Sequence, residues 1–206
     1  MSMQAIKYIL FDLDGTLVDS PIDFAGMRRS LGINEKQDIL GYLESIKDKD
    51  PDRYAEGADI VYQYELEASK KVNLFEGVLD FLDFLKSEQF KMGVVTRNCR
   101  EIAEIQMKGI THFFEHILTR DDVQNPKPHP ESFLFFNQKY NFTSDKTLFI
   151  GNHRHDYEFA QNNKLMYLEY VPLKVQKENH QSRQFEFECY ATLREEFEHQ
   201  MPEVFL

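Results

Sequence analysis

The sequence predicts an α/β fold, a doubly wound and mainly parallel sheet with a small all-helical insertion after its first strand. Three observations predict it. Short apolar, β-prone runs alternate with helical patterns from residue 74 onward, as in sheets covered by helices on both faces. One further apolar run, 5–11, stands ahead of a long stretch that is helix-like throughout. Polar residues of catalytic type follow the ends of several runs, where open parallel sheets bind their ligands.

The run 5–11 (AIKYILF) stops at the acidic, glycine-bearing turn 12–16, which reads as a buried strand with a loop at its carboxyl end. Residues 19–73 then break the alternation. They hold three helix-like segments, 22–31, 35–47 and 51–71, punctuated by Gly32, Pro51 and Gly57, with no convincing strand. The segment 78–89 (VLDFLDFLKSEQ) has apolar residues at 78, 79, 81, 82, 84 and 85, the spacing of an amphipathic helix. Strand-like runs follow at 91–96 (KMGVVT), 116–119 (HILT), 147–150 (TLFI) and 166–170 (MYLEY), separated by helical patterns at 100–108, 130–140 and 156–163. Residues 172–183 are polar and read as a loop, and 185–199 as a last strand and helix. The domain reading is therefore a core of 1–18 and 74–206 with a helical insertion of 19–73.

A chain of 206 residues is long enough to bury a core without disulfides or metal staples. Its formal net charge of −11, with no run of Lys or Arg, repels phosphate backbones and argues against nucleic-acid binding over a broad basic face. No apolar stretch approaches the roughly 20 residues that span a bilayer, so no membrane partner is expected. The opening MSMQAIKYILFDLDGT lacks the pattern of a signal peptide. Two cysteines, Cys99 and Cys189, form no framework, and a reducing, cytoplasmic location is expected.

The chemistry concentrates in four places. Asp12 and Asp14 stand two residues apart just past the first strand. Like charges that close repel unless a cation or proton lies between them, although an Asx-type turn with both carboxylates solvated is the alternative. Thr96 ends the second run, followed by Arg97 and Asn98. Lys127 lies between Pro126 and Pro128, and Asp156 follows the 147–150 run through a glycine-bearing loop. A doubly wound sheet can bring these loops to one edge.

With FDLDGTLVDS (11–20), VVTRN (94–98), NPKPHPESF (125–133) and IGNHRHDYEFA (150–160) in that order, the chain resembles the haloacid dehalogenase superfamily. The resemblance is to its phosphoglycolate-phosphatase-like branch, with a Rossmann-like core and a small helical cap. LFEGVLDFLDFL (74–85) is similar to the segment that re-enters the core after the cap. The resemblance implies Asp12 as the nucleophile that attacks phosphorus and becomes an aspartyl phosphate. It implies Asp14 as general acid and base, with Thr16 positioning it. Mg²⁺ is the implied cofactor, held by Asp12, the Asp14 backbone carbonyl and the fourth motif. Lys127 would add positive charge, and the Thr96 hydroxyl with the Arg97 backbone amide would bind the transferring phosphoryl group. Dehalogenases of the superfamily lack the second acid of the first motif, so Asp14 favours phosphate over halide. A phosphonatase would need a cap lysine in an apolar setting, and Lys36, Lys47, Lys49, Lys70 and Lys71 offer none that is identifiable.

The implied activity is a cytoplasmic, Mg²⁺-dependent phosphatase acting on a small phosphorylated metabolite: phosphoglycolate, a sugar phosphate or a nucleoside monophosphate. The protein would be a monomer or homodimer. A phosphomutase is a variant of the same chemistry. One departure opens another reading. The family usually has an acid directly after the glycine of the fourth motif, whereas this chain has Asn152, with Asp156 matching the second acid. An amide oxygen can ligate Mg²⁺ but brings no charge. Weakened metal affinity, direct ligation by Asp156, or a protein that binds without turnover all follow from it.

Other residues invite roles. His129, His153 and His155 lack a metal-ligand spacing and read as lining the entrance or as exposed. Arg28 and Arg29 lie in the first cap segment, about 100° apart around a helix. In related caps a basic residue there can meet the substrate's non-transferred end, and Arg28 is the candidate, with an exposed helix charge as the alternative. Asp19, Ser20 and Asp23 read as helix caps at the junction.

Overall fold

The computed structural model describes residues 6–172 and 186–204. The chain divides into two compact units, one of residues 1–19 and 73–206, the other of residues 20–72.

The first unit is built on strand β1, Tyr8–Phe11, where successive side chains alternate between the two sheet faces. A short strand β2, Val18–Asp19, leads away to the second unit. The second unit holds helices α1 (Phe24–Leu31), α2 (Ile39–Ile46) and α3 (Pro51–Ser69). The chain returns through β3, Asn73–Leu74, which pairs antiparallel with β2. Helix α4 (Val78–Ser87), strand β4 (Lys91–Val95), helix α5 (Arg100–Gln106) and strand β5 (His116–Leu118) follow. Then come α6 (Glu131–Tyr140), β6 (Thr147–Gly151), α7 (Arg154–Asn163) and β7 (Met166–Tyr170). Strand β8 (Glu186–Phe187) and helix α8 (Tyr190–Val204) end the chain. The six-stranded sheet has the order β5-β4-β1-β6-β7-β8, and every pair in it is parallel. The doubly wound reading therefore holds, and its central strand is the one that ends at Asp12.

The pair β2–β3 corrects the sequence reading at one point. Asp19 and Asn73 are strand partners and group with the core unit, so the insertion is 20–72 rather than 19–73. A two-residue strand is too short to leave a periodic signature. The polar stretch assigned as a loop lies, apart from Pro172, outside the described residues.

Burial explains the layers. Leu10 and Phe149 point to one face and pack with Phe133, Phe136, Phe142, Phe159 and Leu165. Neighbouring Ile9 and Phe11 are equally inaccessible, which fits a parallel sheet covered on both sides. Phe81 of α4 packs against Tyr190 and Phe197 of α8 at 5.6 and 5.5 Å between ring centres. The second unit has its own core of Met27, Leu31, Ile39, Leu43 and Val61. Each of its helices opens on an aspartate, and Asp23, Asp38 and Asp50 accept from the backbone amides of Gly26, Gly41 and Arg53. These bonds satisfy amide donors that a helix start leaves unpaired.

Candidate active site

The loops after β1, β4 and β6 meet at one end of the sheet because β4 and β6 flank β1. Asp12 continues β1, its amide bonded to the Ile150 carbonyl at 2.8 Å. The chain then turns sharply through Gly15, whose φ is +75°, a conformation most side chains disfavour. A Cβ on Gly15 would lie 2.2 Å from Nδ2 of Asn152. The turn of the first motif and the side chain of the fourth are thus in direct contact.

Lys127 is the hinge of the electrostatics. Its Nζ donates to Asp12 Oδ1 at 2.6 Å and to Asp156 Oδ1 at 2.7 Å, with all three residues at least nine-tenths buried. Burial disfavours the Lys127 cation, but the two carboxylates outweigh it and raise its pKa. The carboxylates share this charge unequally. Asp156 Oδ2 also accepts from the backbone amides of Asn152 and His153 at 3.1 and 2.9 Å. Burial works against its charged form, yet Lys127 and these bonds hold its carboxyl below the ordinary range. Among the described residues, the Asp12 carboxylate accepts only a long bond from Thr16 Oγ1, at 3.2 Å, besides that from Lys127. Desolvation and the nearby Asp156 push its pKa up to about 7, against the pull of Lys127.

Asp14 is held differently. Its Oδ2 accepts from Asn98 Nδ2 at 2.5 Å and its Oδ1 from Gln106 Nε2 at 2.7 Å. This corrects the role assigned to Thr16. Its hydroxyl lies between Asp12 Oδ2 and Asn152 Oδ1, at 3.2 and 3.3 Å, so it serves the Asp12–Asn152 side of the site. The orientation of Asp14 falls to Asn98 and Gln106. Thr96 accepts from the amide of Asn98 at 3.1 Å, which shapes the loop after β4. Arg120 fixes the same loop by donating to the Arg97 carbonyl at 2.9 Å. Arg97 Nη1 meets Nδ1 of His155 at 2.6 Å, a contact that spans the end of β1 from the β4 loop to α7. His155 is therefore half-buried at the site, and His153 caps α7. Arg28 bonds within its own unit, to the carbonyls of Gln37 and Phe24 at 3.1 and 3.3 Å.

Asp156 has both oxygens engaged, one by Lys127 and the other by two amides, so here it anchors the lysine and the start of α7. Asp12 and Asn152 each turn a side-chain oxygen to the Thr16 hydroxyl, at 3.2 and 3.3 Å. They form a hard, oxygen-only donor set suited to a cation such as Mg²⁺. Among the described residues no cluster of three His, Cys, Asp or Glu side chains forms a metal site. Gln106 and the Arg97–His155 contact escaped the sequence reading. The one signal for Gln106 was a polar residue within a helical apolar pattern.

The residues 27–168 match the family model described as haloacid dehalogenase-like hydrolase. The pyrophosphatase PpaX of Bacillus pumilus is 31% identical over 173 residues, covering 76% of this chain and 79% of that protein. The pyrophosphatase PpaX of Bacillus velezensis is 27% identical over 176 residues, covering 79% and 82%. A predicted phosphoglycolate phosphatase of Haemophilus somnus superposes with a TM-score of 0.70 at 20% identity, covering 95% of this chain and 98% of that one. The last likeness shows a shared fold. Because the family match takes in well over half of the sequence and the first relative agrees with it, the chain belongs to the haloacid dehalogenase-like hydrolases.

Proposed function

We propose that the protein is a phosphatase that hydrolyses a small phosphate ester or anhydride through an aspartyl phosphate at Asp12. The observation that carries the reading is the buried Asp12–Lys127–Asp156 array. A carboxylate nucleophile attacking an anionic phosphoryl group needs positive charge beside it, and Lys127 is held 2.6 Å from Asp12 by a second carboxylate that fixes its position.

In the first step the Asp12 carboxylate attacks phosphorus, the bond to the leaving oxygen breaks, and Asp14 gives that oxygen a proton. In the second step Asp14 takes a proton from water as the water attacks the same phosphorus. The bond to Asp12 breaks and phosphate leaves. The Thr96 hydroxyl and the Arg97 amide bind the phosphoryl oxygens. Mg²⁺ is the proposed cofactor. Asp12, Asn152 and the Asp14 carbonyl would hold it, and it would neutralise phosphoryl charge. The substrate class is a small phosphorylated metabolite, with phosphoglycolate, sugar phosphates and nucleoside monophosphates as candidates. The naming of the Bacillus relatives adds inorganic pyrophosphate.

Asn152 favours a second reading, a protein that binds phosphate without turning it over. One experiment separates the two. Hydrolysis of p-nitrophenyl phosphate and of a panel of small phosphate esters and pyrophosphate is measured with and without Mg²⁺, for wild type and Asp12→Asn. Metal-dependent turnover that disappears in the variant is expected. Binding of phosphate by a wild type inert on the whole panel would favour the second reading.

A further inference from the structure

Asp14 is gripped by two buried amides that also grip each other. Gln106 Nε2 donates to one carboxylate oxygen at 2.7 Å, and Asn98 Nδ2 donates to the other at 2.5 Å. Asn98 Nδ2 also donates to Gln106 Oε1 at 2.7 Å, which closes a triangle. The amide nitrogen of Asn98 carries two hydrogens, and this arrangement directs one to each partner. Turning either amide over would set oxygen against oxygen, so the triangle admits a single orientation of both amides while Asp14 is ionised. Gln106 and Asn98 are only 4% and 5% exposed. Gln106 closes the last turn of α5, where Ile102 and Ala103 are the other buried residues. A buried amide among apolar neighbours is unfavourable unless its hydrogen bonds are met. Here they are met by Asp14 and Asn98.

We propose that Gln106 is a positioning residue for proton transfer by Asp14, an inference that rests on the phosphatase reading. One amide bond on each oxygen fixes the plane of the carboxyl. With the carboxyl plane held, the direction in which Asp14 delivers its proton to the leaving oxygen is set by the triangle. Asn98 holds Gln106 and ties the triangle to the loop that carries Thr96. Gln106 acts through the carboxylate of Asp14.

The test uses leaving groups of matched shape. The phenolate of phenyl phosphate has a pKa of about 10 and needs a proton to depart, whereas p-nitrophenolate departs unaided. Gln106→Met keeps length and flexibility but removes both hydrogen bonds. With the full-length protein and Mg²⁺, kcat/KM reports the phosphoryl-transfer step for both substrates. Gln106→Met is expected to lower kcat/KM on phenyl phosphate about tenfold more than on p-nitrophenyl phosphate, a part of what general acid catalysis contributes. In an Asp14→Asn background the same change is expected to have no further effect on either substrate, as for two residues acting as one unit. Equal losses on the two substrates, or losses that add to those of Asp14→Asn, would overturn the proposal and leave the phosphatase reading standing. Should Gln106→Met lose its cooperative unfolding transition, Gln106→Glu, which has the same shape, carries the test. Its carboxyl beside Asp14 is expected to lower the phenyl to p-nitrophenyl ratio in the same direction, and an unchanged ratio overturns the proposal. A wild type inactive on both substrates would refute the phosphatase reading itself, and the role of Gln106 with it.

Discussion

The phenol of Tyr190 donates a hydrogen bond to the backbone carbonyl of Thr16 at 2.9 Å, joining the first turn of α8 to the loop that carries Asp12. Tyr190 is wholly buried between Phe81, Tyr170 and Phe187. Helix α8 is therefore tied to the 12–16 turn.

Tyr190→Phe keeps the aromatic packing and leaves a buried carbonyl without this donor. A loss of about 1–3 kcal/mol is expected in urea unfolding, with a fall in turnover as the 12–16 turn loosens. An unchanged unfolding midpoint would show that the bond is not formed in solution.

Lys127→Met removes the cation that two buried carboxylates share. Activity is expected to vanish, and stability to fall by about 3–5 kcal/mol at neutral pH, the penalty of breaking a buried ion pair from one side. Adding Asp156→Asn removes one of the stranded charges and is expected to restore part of the loss. Denaturation of the single and double variants in chelator checks this, and strictly additive losses would contradict the shared-cation geometry.

The raised pKa of Asp12 has a definite sign. Its carboxyl titrates near 7 in the folded chain against 3.8 for the ordinary group, so between these values the folded state binds more protons than the unfolded state. The contribution of Asp12 to stability is full below about pH 4 and falls as pH rises through 7. Without metal, Asp12→Asn is expected to gain stability relative to wild type between pH 5 and pH 8. Melting of both proteins across that range measures it, and a difference independent of pH would rule out the raised value.

Asn152→Asp tests the fourth motif. A carboxylate beside Asp12 and the Thr16 hydroxyl adds charge to the oxygen donors, and divalent-cation affinity is expected to rise about tenfold or more, since ligand charge count tunes such sites. In chelator the same change is expected to lower the melting temperature, because it places like charges together. Calorimetric titration with Mg²⁺ and melting in chelator read the two effects. If neither moves, position 152 is no metal ligand.

Much of this was legible in the sequence. The runs 5–11, 91–96, 116–119, 147–150 and 166–170 each contain a strand, because parallel strands buried on both faces must be apolar along their length. Asp12, Lys127 and Asp156 were singled out in the sequence as residues that the sheet could bring to one edge, and their side chains do meet there. The triangle of Asp14, Asn98 and Gln106 was not, since Asn98 and Gln106 lie 84 and 92 positions from Asp14 and only packing brings α5 to the β1 loop. The partner of Thr16 was misread for a related reason. A hydroxyl four residues past Asp12 can turn toward either carboxylate, and Asn152, 136 positions away, settled the choice. The strand pair at the root of the insertion is too brief for any sequence pattern to show.

That strand pair governs how the chain can change. Val18 lies beside Leu74 and Asp19 beside Asn73, so the polypeptide leaves the core and comes back at the same spot. To the core, the intervening residues 20–72 amount to one loop with clamped ends. The entropy of closing a loop grows only with the logarithm of its length, so shortening this one several-fold would alter stability by roughly 1–2 kcal/mol. On closure entropy alone, the length of the helical unit is therefore a weak constraint on the strand that presents Asp12.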